Sequence, residues 1–240
     1  MLIFENVTKI YDGNVILDNV NLKIDGGEFV TIIGPSGAGK STLLHALIGA
    51  TKINGGGIYV DGYPIHNFTS VALQSYRRNL GLVFQDFKLL PKKTVFENVA
   101  YAMEACDYPE EEIQKRVPEV LDMVGMTDHL SKFPAQLSGG EKQRTAIARA
   151  LVHSPKLVIA DEPTGNLDPE AAKEIIELLL KLNAVGITVI LATHNKELVN
   201  MIQKRVVLLK KGQVISDREK SGYNFNLGFN EELEILEIQS

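Results

Sequence analysis

Apolar and polar positions alternate over Leu2-Ile3-Phe4-Glu5-Asn6-Val7-Thr8-Lys9 and Val20-Asn21-Leu22-Lys23-Ile24, which predicts half-buried strands. Asp12-Gly13 and Gly26-Gly27 punctuate them as turns. Three other runs are apolar almost throughout: Phe29-Val30-Thr31-Ile32-Ile33, Leu157-Val158-Ile159-Ala160 and residues 188–193. Runs this short and unbroken suit strands covered on both faces, as in a parallel sheet. Ile58-Tyr59-Val60 and Leu82-Val83-Phe84 add shorter strands, and residues 205–210 and 213–217 flank Lys211-Gly212 as a hairpin. Helical spacing takes over at 42–48, 94–103, 110–124 and 170–183. The last of these carries Ile175, Leu178, Leu179 and Leu182 on one face and opens with Asp168-Pro169, an N-cap and a first-turn proline. The pattern predicts an α/β core over 1–85 and 154–219, with a helical subdomain inserted at 86–153. Residues 220–240 turn acidic, with Phe229, Leu233 and Leu236 at helical spacing, which suits either a short docked helix or a disordered tail.

Composition narrows the function classes. A net charge of −5 over 240 residues opposes a broad nucleic-acid surface, which needs a basic stripe to neutralise phosphates. No apolar run approaches the ~20 residues that span a bilayer, so a membrane role is expected to come through a partner. The single Cys106 excludes an intrachain disulfide and, with no secretory leader in view, points to the cytosol. The five histidines lack metal-ligand spacing.

The chemistry is concentrated in Gly34-Pro35-Ser36-Gly37-Ala38-Gly39-Lys40-Ser41, set between the 29–33 strand and the helix that Thr42 opens. A strand, a glycine-rich turn ending in Lys and Ser, then a helix is the context of a P-loop. Its backbone N–H groups and the helix N-terminus cradle phosphates, Lys40 reaches the β- and γ-phosphates, and Ser41 can ligate Mg²⁺. Asp161-Glu162 follows the 157–160 strand directly, and ligands of parallel sheets bind outside the carboxyl ends of strands. Asp161 is therefore placed to hold Mg²⁺ through water, and Glu162 to accept a proton from the attacking water. Leu137-Ser138-Gly139-Gly140-Glu141 has capping-box spacing, complete in itself as a helix start. Two first-turn glycines each cost about 1 kcal/mol relative to alanine, which argues for close approach of a phosphate. Tyr11, beside a turn, reads either as packing or as a stacking platform for a base.

In order along the chain, the P-loop, Gln85, Leu137–Glu141, Asp161-Glu162, Asn166-Leu167-Asp168 and His194 resemble an ABC-transporter-type ATPase over about residues 1–218. The resemblance implies an ABC-type P-loop NTPase fold: a RecA-like core, an N-terminal antiparallel β subdomain and the inserted helices. It implies a homodimer formed on ATP binding, each ATP lying between one chain's P-loop and the other's Ser138-Gly139-Gly140. Tyr11 would stack on adenine, Gln85 would join Mg²⁺ and water to the helical subdomain, His194 would touch the γ-phosphate, and Asp168 would lie in the loop crossing the interface. Glu141 and Asn195 depart from the commoner Gln and Asp, at positions that carry neither phosphate nor metal. Residues 84–104 are similar to the branch that serves bacterial cell division, which implies an integral membrane partner contacting Phe87–Met103 from the bilayer, with the ATPase on the cytoplasmic face. The ATPase of a lipoprotein-release or macrolide-export system is the alternative within the family.

Overall fold

The computed structural model describes residues 1–219. The tail expectation, 220–240, lies outside the described residues. The chain opens with an antiparallel pair, β1 (Leu2–Tyr11) and β2 (Asn14–Ile24), then β3 (Phe29–Ile33) and α1 (Lys40–Leu47). After β4 (Gly55–Val60), β5 (Tyr63–Pro64), α2 (Ser70–Arg78) and β6 (Leu80–Phe84) come three helices, α3 (Val95–Glu104), α4 (Glu110–Met123) and α5 (Gly139–Leu151). The chain continues through β7 (Leu157–Asp161), α6 (Pro169–Ala184), β8 (Thr188–Thr193), α7 (Lys196–Ile202), β9 (Arg205–Lys210) and β10 (Gln213–Arg218).

Two sheets result. A four-stranded sheet runs β2-β1-β4-β5 and is antiparallel; a six-stranded sheet runs β10-β9-β3-β8-β7-β6 and is parallel except for the β10 edge. Every residue of β3 and β8 is buried, as their unbroken apolar runs require of strands covered on both faces. One face of the large sheet packs against α1 and the small sheet through Ile32, Leu43, Leu47, Ile58 and Val7. The other face packs against α3 to α6 through Val99, Val117, Ile147, Val158 and Ile175. Fully burying each such side chain contributes roughly 1.5–3 kcal/mol.

Register sets the site. Ile33 pairs with Thr193, Ala192 with Asp161, and Asp161 with Phe84. The carboxyl ends of β3, β8, β7 and β6 therefore finish level, and Gly34, His194, Glu162 and Gln85 leave the sheet in one row.

Two helices were not expected from the pattern. α2 fully buries none of its side chains: Leu73 and Tyr76 are only half-buried, with Tyr76 against the core, a face too short to stand out in nine residues; Thr69 Oγ1 caps the helix by accepting from Ala72 N–H. α7 has seven residues, too few for a periodicity to emerge, and Asn195 Oδ1 caps it by accepting from Glu197 N–H and Leu198 N–H. An aspartate at 195 would cap α7 in the same way, which makes this departure from the family pattern structurally neutral.

Candidate functional site

The glycine-rich loop begins where β3 ends. A Cβ at Gly34 would lie 2.1 Å from the Leu209 carbonyl oxygen, so only glycine lets the loop turn beneath β9. Gly39, the N-cap of α1, has φ 102°, and a Cβ there would come within 2.8 Å of Ile16 O. Lys40 is the first helical residue and is buried, with its ammonium folded back over the loop. Lys40 Nζ donates to Gly34 O at 2.8 Å and Pro35 O at 3.3 Å, and lies 3.7 Å from Glu162 Oε1.

Glu162 sits just past β7 with φ 48°, a left-handed conformation that costs a non-glycine residue about 1–2 kcal/mol. Its N–H donates to Ala192 O at 2.9 Å, which ties the residue to β8. His194 Nδ1 lies 2.8 Å from the same Oε1 that faces Lys40. The carboxylate is thus largely enclosed, held by a lysine from one side and an imidazole that is itself mostly exposed from the other.

Burial holds the Asp161 carboxyl above the ordinary range, a hydrogen bond from Ser41 draws it back, and the neighbouring Glu162 pushes it further up. Asp161 Oδ1 is buried without a hydrogen-bond partner among the described residues. An orphaned carboxylate oxygen beside a serine hydroxyl, at the end of a phosphate cradle, is an all-oxygen donor set that fits a hard divalent cation such as Mg²⁺.

Gln85 is in the row but turned sideways. Its Nε2 donates to Asn166 Oδ1 at 3.2 Å, and Asn166 Nδ2 returns a bond to Gln85 O at 3.1 Å. A Cβ at Gly165 would lie 2.8 Å from Gln85 Nε2, so any larger residue there would push the Gln85 side chain aside. Two residues on, Phe87 and Lys88 are both left-handed, with φ 58° and 50°. Asn166 as the partner of Gln85 was not foreseen, although it lies inside a motif already singled out.

The Ser138 end of α5 forms a separate centre. Ser138 Oγ accepts from Glu141 N–H, and Glu141 Oε2 accepts from Ser138 N–H at 2.8 Å, closing the capping box. That backbone bond, with His129 Nε2 at 3.1 Å from Oε1, holds the Glu141 carboxyl below the usual range. Both glycines have neighbours in their own chain. A Cβ at Gly139 would meet Leu167 Cδ2 at 3.0 Å, and one at Gly140 would meet Ala171 Cβ at 3.2 Å. Asp168 joins this junction by capping α6, with Oδ1 accepting from Ala171 N–H at 2.9 Å. Close packing within the chain therefore accounts for part of the glycine preference that sequence reasoning assigned to phosphate. Among the described residues, no hydrogen bond or ion pair ties Ser138–Gly140 to the P-loop.

Tyr11 ends β1 with its ring half exposed. Its hydroxyl bonds Thr51 Oγ1 at 2.8 Å, and Lys9 Nζ lies 4.3 Å from the ring centroid while donating to Lys52 O. The ammonium covers one ring face, which leaves a single face for stacking. No helix among the described residues is long and apolar enough to cross a membrane.

A model of the ABC transporter family matches residues 17–165. The cell division ATP-binding protein FtsE of Streptococcus pneumoniae serotype 2 is 47% identical over 222 residues, covering 92% of this chain and 96% of that protein. FtsE of Bacillus subtilis is 45% identical over 224 residues, covering 93% and 98% respectively. Among solved structures, the dimeric post-hydrolysis state of the ATP-binding cassette MJ0796, bound to ADP and Pi, superposes with a TM-score of 0.83 at 38% identity. That match covers 93% of this chain and 100% of the cassette.

Proposed function

Because this chain belongs to the ABC transporter family and is an ATPase of that type, we propose that it is the ATP-hydrolysing subunit of an FtsE-type membrane complex. In this reading it dimerises on ATP and drives an integral membrane partner of the FtsX type, which activates peptidoglycan hydrolysis during division. The observation that carries the catalytic part is the Lys40–Glu162–His194 constellation at the level carboxyl ends of β3, β7 and β8. The extended likeness to FtsE proteins carries the cellular part.

The roles follow from what each group holds. Lys40 is stored on two backbone carbonyls and exchanges them for the β- and γ-phosphate oxygens of ATP, a stronger, charge-assisted pairing. Its departure leaves Glu162 with His194 alone, free to orient the attacking water and take its proton. His194 is exposed enough to turn toward the γ-phosphate while still touching Glu162. Ser41, Asp161 and Gln85 are the groups that would hold Mg²⁺. Bound there, the ion supplies neutralisation of charge building on the phosphate oxygens. Gly34, Pro35, Ser36, Gly37, Ala38, Gly39 and Thr42 cradle the phosphates, and Tyr11 offers its open face to adenine.

A second copy contributes Ser138-Gly139-Gly140 to complete each site, with Asp168 in the loop that meets it. Gln85 stands where the core, 1–85 and 154–219, passes into the helical subdomain, 86–153. The stretch Phe87–Met103 receives the membrane partner: Phe87, Leu89 and Leu90 are half-buried and Tyr101, in the same stretch, is exposed. This tethering places the protein on the cytoplasmic face of the membrane, and nucleic acid is not a partner.

The test is co-expression of the full chain with a four-helix FtsX-type membrane protein, followed by co-purification in detergent. Capture that is lost in Leu89→Asp, with ATP binding retained, supports the reading. Association with DNA instead, or with an export permease in place of the division partner, overturns it.

A further inference from the structure

The turn that follows Gln85 is conformationally expensive, and nothing within it explains its persistence. Phe87 and Lys88 are consecutive L-residues at φ 58° and 50°, a pairing usually left to glycine. The turn's own ties are local: Lys88 N–H donates to Asp86 O at 2.6 Å, and the Lys88 and Asp86 side chains form an exposed ion pair.

The external tie comes from α5. Arg149 Nη2 donates to Phe87 O at 2.8 Å and Nη1 donates to Lys88 O at 2.5 Å, so one planar fork spans both left-handed residues. Among the described residues no carboxylate pairs with Arg149. Burial pushes its guanidinium below the usual range, and the two carbonyl dipoles are what it faces. Earlier on the same helix the fully buried Gln143 donates Nε2 to Phe84 O at 3.4 Å. Helix α5 therefore holds the 84–88 stretch on both sides of Gln85. Its capped start at Ser138 lies eleven residues before Arg149, about 16 Å along the axis.

We propose that Arg149 is a positioning residue for hydrolysis: its fork fixes the Phe87–Lys88 turn to α5, so that the Gln85 loop and the Ser138 end of the helix move as one body. The proposal rests on the roles given above to Gln85 and Ser138–Gly140, and adds the part that ties them together. Through it, engagement of Gln85 in a chain's own site is transmitted to the helix start that this chain offers to its partner's site. A lysine keeps the charge and can reach two carbonyls, as Lys40 does, but from a single flexible ammonium that lacks the planar fork and fixes their geometry less rigidly.

The experiment is a double-mutant cycle on the full chain with Arg149→Ala, Lys88→Gly and the pair, reading kcat and KM for MgATP together with the thermal midpoint. Glycine adopts the left-handed turn freely, so a turn containing it needs the clamp less. In the wild-type background Arg149→Ala is expected to lower kcat about tenfold or more, as misplacement of a distant support does, with KM within about twofold. In the Lys88→Gly background the same substitution is expected to cost less than about threefold. An unmoved kcat, an equal cost in both backgrounds, or kcat and KM worsening together with the midpoint overturns the proposal. Should Arg149→Ala fail to fold, Arg149→Met, which keeps an apolar stem and removes every donor, takes its place in the cycle, and a folded Arg149→Met enzyme with wild-type kcat also overturns it. Wild-type chain that shows no Mg²⁺-dependent turnover removes the underlying ATPase reading, whereas normal wild-type turnover with an insensitive Arg149 removes the clamp alone.

Discussion

Gly139→Ala separates two explanations of one glycine. Within the chain, the added methyl meets only Leu167 Cδ2 at 3.0 Å and Asn166 O at 3.5 Å. The first is the far end of a flexible side chain that a small χ adjustment moves away, and the second is ordinary contact. Against that stands the gain in helix propensity, up to about 1 kcal/mol for glycine to alanine and smaller in a first turn. The two nearly cancel, so stability should change by less than about 1 kcal/mol and the thermal midpoint by no more than roughly 4 °C for a domain this size. If the second copy's nucleotide lies against this helix start, however, the same methyl projects toward it. Displacing a bound phosphate by about 1 Å is enough to cost ~10²-fold in turnover. The assay pairs a thermal melt with steady-state MgATP hydrolysis and a fluorescent-nucleotide titration of the same preparation. The expected result is a folded, nucleotide-binding protein with little turnover. A melt within the stated range accompanied by full turnover would refute the reasoning, and neither packing nor a phosphate would then require glycine at 139.

Three further outcomes are expected. Glu162→Gln keeps size and hydrogen bonding but removes the base, so turnover should fall by ~10²-fold or more while ATP still binds; the variant should elute as an ATP-dependent dimer on size exclusion. Tyr11→Ala should raise KM for ATP with kcat unchanged, because base stacking on an aromatic ring contributes about 1–3 kcal/mol of ground-state binding. Glu141 is held below its ordinary range chiefly by the Ser138 N–H, so its contribution to stability is fully present above the unfolded-state value of 4.5 and is lost as pH falls through the lower folded value. Glu141→Gln should therefore melt earlier than wild type at pH 7, and the gap should close on acidification below pH 4.5; a gap that widens with acid would contradict the capping geometry.

What the sequence disclosed follows the physics of burial. β3, β7 and β8 were legible because strands covered on both faces keep their runs apolar apart from Thr31, Asp161, Thr188 and Thr193. The P-loop was legible because strand, glycines, lysine and helix must occur in that order to make the cradle. α2 was not, since a nine-residue helix that only half-buries Leu73 and Tyr76 leaves a faint periodic trace. Within the site, residue types were readable and their present partners were not. Nothing local says that Glu162 adopts a left-handed backbone, that His194 grips it, or that Gln85 pairs with Asn166 across 81 positions. Arg149 reads as an ordinary polar-face residue of an amphipathic helix, because its partners are two backbone carbonyls 61 and 62 positions away. Gly139-Gly140 shows the opposite hazard: the pair stands out in the sequence, yet packing against Leu167 and Ala171 already supplies one reason for it.

The Gln85–Asn166 contact joins two neutral amides. Making or breaking it exchanges hydrogen bonds with water and moves no charge between media, so it carries neither a Debye-screened nor a proton-linked component. The Lys40–Glu162–His194 group is instead built from charged and ionisable side chains. The row of loops at the sheet end thus sets a neutral amide latch beside a charged cluster, and the latch offers salt no charge to screen.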